Sequence, residues 1–300
     1  MPDLIILGGG AAGLTAALYA CRAGLHPLVL EKTAYGGQMA LTNNIENYPG
    51  IAHTSGWELS ENMYQQALAL GADVRFETAT ALELTGPHKR IVTAGGAYEA
   101  PAVILALGAS RRKLSVPGEE SHAGRGVSYC ATCDGAFYRG RDVAVVGGGN
   151  TALEEALFLA SLCQTVYLIH RRDSYRAEPY LVKSLAAHPN IIPVLNTVVT
   201  AIEGEPAVTC LRLSTNGEPG ELAVSGVFAA VGTVPETGLL AGQLPLDDAG
   251  YIPAGEDGVT ALPGVFVAGD CRTKPLRQIV TAAADGANAA VSAIHFLQNS

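Results

Sequence analysis

Val143-Ala-Val-Val-Gly-Gly-Gly-Asn-Thr-Ala152 runs from a short apolar segment into a Gly147-x-Gly149-x-x-Ala152 turn. Leu4-Ile-Ile-Leu-Gly-Gly-Gly-Ala-Ala-Gly13 does the same with Gly8-x-Gly10-x-x-Gly13. Behind each turn a helical pattern follows, at 14–22 and at 153–162. A second apolar strand comes next, at 27–30 ending on Glu31 and at 166–169 ending on His170. Gly8 to Glu31 and Gly147 to His170 both span 23 positions, and each unit is later closed by an apolar strand running into glycine, at 103–108 and 227–232. A glycine fingerprint has meaning only between a strand and a helix, with the next strand ending where a ribose would lie. Both copies meet that condition, so the chain predicts two dinucleotide sites.

The fold class that follows is α/β, with two Rossmann-like dinucleotide-binding domains, the second inserted into the first. The segment 111–120 contains Pro117-Gly118 and reads as a crossing linker; 244–250 contains Pro245 and two aspartates and reads as the return. A further apolar strand at 264–268 and a helix from about 279 to 297 complete the tail. These signals place the first domain at 1–116 and 245–300 and the second at 117–244.

The residue closing the second strand separates the two ligands. Glu31 can accept hydrogen bonds from a ribose diol and would repel a 2′-phosphate. His170-Arg171-Arg172, with Arg176 beyond, supplies guanidinium forks that suit a 2′-phosphate. The first site therefore predicts an unphosphorylated adenosine and the second NADPH. A solvated charged turn is the plainer account of the arginines.

Between the two fingerprints lies Cys130-x-x-Cys133. The other cysteines, Cys21, Cys163, Cys210 and Cys271, are scattered, which reads as buried thiols in a reducing compartment and not as a secreted disulfide framework. Tyr129-Cys-Ala-Thr-Cys-Asp-Gly135 resembles the entry to a helical turn, where a thiol pKa is lowered. Asp134 is a candidate proton donor or acceptor, against the alternative of a cap or surface aspartate. Zinc would need a second close Cys/His pair, and the scattered histidines offer none.

Composition narrows the class further. The net charge of −9 disfavours nucleic acid as a partner, and only 16% of residues are charged against 48% apolar, enough for substantial cores. No run approaches the roughly 18 apolar residues of a spanning helix. The opening 1–24 lacks a basic n-region and carries its glycines at fingerprint spacing. The chain reads as a soluble cytoplasmic protein.

Ser128-Tyr-Cys-Ala-Thr-Cys-Asp-Gly135, Gly147-Gly-Gly-Asn-Thr-Ala152 and His170-Arg-Arg-Asp-Ser-Tyr-Arg-Ala177 closely resemble the low-molecular-weight, bacterial-type thioredoxin reductases. Gly36-Gly-Gln38, Asn47-Tyr-Pro-Gly50, Val265-Phe-Val-Ala-Gly-Asp270 and Arg277-Gln278 extend the resemblance in unbroken order over nearly the whole chain. It implies an NADPH-dependent flavoprotein that passes electrons through FAD and a Cys130–Cys133 disulfide to thioredoxin, with Asp134 assisting proton transfer. FAD would be held by Gly8, Gly10, Gly13, Glu31, Gly37, Gln38, Asn47, Gly269, Asp270, Arg277 and Gln278. NADPH would be held by Gly147, Gly149, Asn150, Thr151, His170, Arg171, Arg172 and Arg176.

The resemblance also implies a homodimer and an NADPH domain that rotates on linkers near 112–117 and 244–248. A proline commonly precedes the last glycine of the first motif in the family; here it is Ala12. Cys271, next to Gly269-Asp270, reads as a small buried thiol. Alternatives on the same fold are a dithiol oxidase, a reductase of another small protein or small-molecule disulfide, and a redox-sensing module with no turnover.

Overall fold

A computed structural model describes residues 1–42, 45–240 and 242–299. The chain divides into two compact units, Met1–Ser110 with Val234–Ser300, and Arg111–Thr233. The helices are α1 (Ala11–Arg22), α2 (Gly56–Ala69), α3 (Ala131–Asp134), α4 (Asn150–Ala160), α5 (Pro179–Leu185) and α6 (Ile279–Gln298).

The first unit is built on a five-stranded parallel sheet in the order Val265–Val267, Ala102–Leu105, Leu4–Leu7, Pro27–Glu31, Asp73–Phe76. Leu4 stands opposite both Pro27 and Ala102. The three central strands are continuous apolar runs, as a sheet covered on both faces requires. Leu4 and Ile6 pack into a core shared with α1, α2 and α6, while Ile5 and Leu7 face a second core that includes Leu82, Leu84, Ile91 and Ile252. Alanine dominates the α1–α6 contact: Ala16, Ala17, Ala20, Ala289, Ala290 and Ala293 are fully buried, so the two helices approach closely.

The second unit repeats this plan. Its parallel sheet runs Ile191–Val194, Thr165–Ile169, Asp142–Val146, Gly226–Ala229, Val127–Ser128. Val143 and Val145 pack under α4 and α5; Ala144 and Val146 face the other core. In each unit a three-stranded antiparallel meander precedes the closing strand: Ala79–Glu83, Lys89–Thr93 and Gly96–Ala100 in one, Thr197–Glu203, Cys210–Thr215 and Glu218–Ala223 in the other. These strands bury alternate residues, Lys89, Ile91 and Thr93 in one meander and Thr197, Val199 and Ile202 in the other. Because several of the buried positions are polar, the sequence carries no clean period-2 hydrophobic signal there. Leu240 and Leu244, ahead of the return placed at 245, are buried in the first unit's core beside Ile252.

Among the described residues no helix is long and apolar enough to cross a membrane.

Candidate functional site

In the first unit, the turn after Leu4–Leu7 brings Gly8 against the carbonyl of Ala106, where a β-carbon would overlap it; φ there is +109°. The same geometry denies Gly13 a side chain, since its β-carbon would fall on the Gly8 carbonyl. Behind Gly10, α1 begins without any side-chain cap, so its first amides are donors that favour an anion. Buried Glu31 accepts the Gly9 N–H on Oε2 at 2.7 Å and the Thr33 N–H on Oε1 at 3.0 Å. Two backbone amides thus fix the carboxylate at the end of its strand. The Gly36 N–H donates to the Gly9 carbonyl at 2.7 Å, and Gly36 bridges Gly10. Those bonds bring Gly37 and Gln38, at the start of the Gly37–Leu41 3-10 turn, beside the glycine turn.

The tail of the same unit carries the remaining residues. Asn47 Nδ2 donates to Gln278 Oε1 at 3.1 Å, joining positions far apart in sequence. Gln278 also caps α6 in a reciprocal box with Thr281. The Arg277 guanidinium stacks 4.1 Å over Tyr251, and its Nε donates to the Asp270 carbonyl at 3.3 Å. Asp285, which carried no signal in sequence, lies at the back of this turn. It accepts the Gly269 N–H at 3.1 Å, Arg272 Nη2 at 2.7 Å and Lys274 Nζ at 2.8 Å. Burial pushes its carboxyl up, but these bonds prevail and hold it below the usual carboxylate range. Cys271 is fully buried with its Sγ 3.5 Å from the Leu105 and Ala268 carbonyls. Burial pushes that thiol up to about 11, which makes it inert.

The second unit builds a matching turn. Gly147 lies against the Ala230 carbonyl, and α4 starts behind Gly149, again with no side-chain cap. The His170 ring occupies the space a Gly148 side chain would need, as Glu31 does beside Gly9. Burial first, then Arg172, Arg171 and Arg176, hold the imidazole below its ordinary pKa, so the ring is neutral at pH 7. The Arg176 N–H donates to the Gly148 carbonyl at 2.7 Å, tying the arginine segment to the turn.

A cavity of about 520 Å³ opens there, lined by Gly147, Gly149, Asn150, Thr151, His170, Arg171 and Arg176 together with Arg112 and Lys113. Arg172 lies outside the lining, and its carbonyl accepts the Asn196 N–H at 2.9 Å. Among the described residues, none of Arg171, Arg172 and Arg176 forms an ion pair. Arg112 and Lys113 were missed because a linker basic pair has no motif of its own. Gly9 and Gly148 were missed because the fingerprint leaves those positions open.

Cys130 and Cys133 form a disulfide with Cα atoms 5.3 Å apart, on the short turn α3. Cys130 is buried and Cys133 half-buried. Ser128 organises the turn: its Oγ accepts the Cys130 N–H at 3.1 Å and donates to Asp134 Oδ2 at 2.6 Å. Asp134 is therefore anchored to the segment that holds the first cysteine. Glu155 of α4 accepts the Ala131 N–H on Oε1 at 3.3 Å. Among the described residues, no group of three or more His, Cys, Asp or Glu is placed to hold a metal ion.

The family model for pyridine nucleotide-disulphide oxidoreductases matches residues 2–286. The thioredoxin reductase of Mycolicibacterium smegmatis is 48% identical over 299 residues, covering 98% of this chain and 96% of that relative. The thioredoxin reductase of Treponema pallidum is 47% identical, covering 99% of this chain and 98% of its own. The crystal structure of thioredoxin reductase from Streptococcus pyogenes matches with a TM-score of 0.94 at 41% identity, covering 100% of this chain and 99% of that one.

Proposed function

The chain belongs to the pyridine nucleotide-disulphide oxidoreductase family, and from that membership we propose that it is an NADPH-dependent thioredoxin-disulfide reductase. The observation that carries this reading is a disulfide, Cys130–Cys133, in the same unit as an arginine-lined nucleotide cavity, in a chain with a second cradle of different charge.

The residues present fit both cofactors. Gly8, Gly10 and Gly13 with the first amides of α1 would take the FAD pyrophosphate, and Glu31 its ribose. Gly37, Gln38, Asn47, Gly269, Asp270, Arg277 and Gln278 would hold the rest of the molecule. Gly147, Gly149, Asn150, Thr151 and His170 would hold NADPH, with Arg171, Arg172 and Arg176 on the 2′-phosphate. Bound FAD would supply the two-electron link between NADPH and the disulfide.

The chain's own work is at sulfur and oxygen. Opening the Cys130–Cys133 bond yields one nucleophilic sulfur, which attacks the disulfide of thioredoxin; the second then resolves the mixed disulfide. Asp134, held by the Ser128 hydroxyl, moves a proton between the dithiol and water. Thioredoxin sits near about −270 mV, so a reductant as strong as NADPH is needed upstream. We place the enzyme in the cytoplasm, where thiols stay reduced, and assign it a homodimeric state on its resemblance to the family.

Anaerobic stopped-flow mixing with NADPH tests the reading. The flavin should bleach rapidly and regain colour when oxidised thioredoxin is added. Cys130→Ser and Cys133→Ser should each keep the bleaching step and lose thioredoxin turnover. Turnover surviving in both variants would remove the dithiol from the pathway.

A further inference from the structure

Glu155 lies on α4, within the second unit, one turn inside the helix that starts at the glycine cradle. Its Oε1 accepts the N–H of Ala131, the first amide of the turn that carries both cysteines. Its Oε2 is sealed from solvent and has no hydrogen-bond partner among the described residues. A carboxylate oxygen in that setting is costly while charged and cheap while protonated. Burial pushes the carboxyl up to about 7, against the opposing pull of the Ala131 amide and Arg111, and Glu154 adds to the rise.

Cys130 immediately precedes Ala131, so a negative charge on the opened dithiol and one on the Glu155 carboxylate that holds the Ala131 amide would lie on one short turn and disfavour each other. Only one of the two can hold the negative charge cheaply.

We propose that Glu155 is a positioning residue for the redox dithiol: it holds the Ala131 end of the cysteine turn and keeps one of the protons taken up when the Cys130–Cys133 bond is reduced. The proposal rests on the dithiol being the redox centre described above. In the step, the Sγ–Sγ bond accepts two electrons from the reduced flavin and breaks. Two protons are taken up from solvent; one makes a thiol and the other protonates the Glu155 carboxylate. The remaining sulfur is a thiolate, so two electrons and two protons enter and the net charge of the group is unchanged.

Asp134 is the other carboxyl on the turn, bonded to Ser128. Arg111 lowers and Glu154 raises the Glu155 carboxyl; Asp142 on the strand Asp142–Val146 and Lys183 on α5 are the charged residues of the neighbouring elements.

The test uses the holoenzyme and its Glu155→Gln and Glu155→Asp variants, each reduced anaerobically with NADPH. Alkylation of Cys130 and Cys133 by iodoacetamide is followed between about pH 5 and pH 9 and assigned by peptide mass. The wild-type rate should rise in two steps. Glu155→Gln, which keeps the shape and an acceptor oxygen, should rise in one step at lower pH, with a rate near pH 7 about 3- to 10-fold higher. Glu155→Asp retains a carboxyl and should keep two steps. Superimposable profiles for wild type and Glu155→Gln would overturn the proposal. If NADPH fails to open the wild-type disulfide, the reductase reading fails instead, and the same alkylation series on dithiothreitol-reduced protein still decides the role of Glu155.

Discussion

Arg171 and Arg176 reach the same cavity by different routes, one as the next residue after His170 and the other through the Gly148 carbonyl that takes its backbone N–H. Among the described residues no ion pair holds either guanidinium, so both are available for an outside phosphate, and each charge-assisted bond to one is worth about 1.5–3 kcal/mol. Replacing both with Gln should raise the KM for NADPH by about 100-fold or more. The KM for NADH, which has no 2′-phosphate, should barely move, and steady-state kinetics with the two nucleotides separates the cases. An equal loss for both would mean that the arginines act on something other than the 2′-phosphate. Sequence reading could name these arginines because their position after the strand is set by the 23-residue spacing. It could not name Gly148, whose need for a bare backbone comes from the His170 ring 22 positions away. Spacing encodes the backbone path, while the contact between two open positions depends on side-chain direction.

The turn Gly269–Cys271 and the start of α6 depend on a charged group placed behind them. Asp285 is 8% exposed, Arg272 9% and Lys274 3%, so the three form a buried cluster tied to the Gly269 amide. Breaking a buried pair by removing one partner costs about 3–5 kcal/mol because the other charges are left uncompensated. Asp285→Asn should therefore lower the melting temperature by several degrees, and the purified protein should carry less flavin per chain in its absorbance ratio. Retention of full flavin content would separate the cluster from the site. The sign with pH follows from the depressed carboxyl: its contribution is present above the unfolded value near about 4 and is lost as pH falls below it. Wild type should thus converge on the variant's stability in acid. The element itself was legible, since Gly269-Asp270 and a helix from 279 were both expected. The acid that supports them was not, because a lone aspartate in an alanine-rich helix carries no periodic signal.

At the scale of the molecule, the two units differ in how the chain assembles them. The first needs two separate segments: Val265–Val267 pairs with Ala102–Leu105, and α6 packs on α1, so neither 1–110 nor 234–300 completes a core alone. The second is one continuous run, Arg111–Thr233, with cores on both faces of its parallel sheet. At roughly 120 residues it is within the range of autonomous domains. A polypeptide limited to residues 111–233 should therefore fold cooperatively by circular dichroism. It should also bind NADP+ within about tenfold of the whole protein's affinity by calorimetry, because every residue lining the cavity lies inside it. Its Cys130–Cys133 disulfide should open with dithiothreitol but not with NADPH, since the Gly8–Gly13 cradle and Glu31 belong to the other unit. A fragment that folds and binds yet is reduced by NADPH would bypass the flavin and break the proposed order of electron flow. One that fails to fold would mean that the unit's cores depend on the rest of the chain. The split first unit makes the converse test informative: coexpressed 1–110 and 234–300 should recover flavin only when both segments are present.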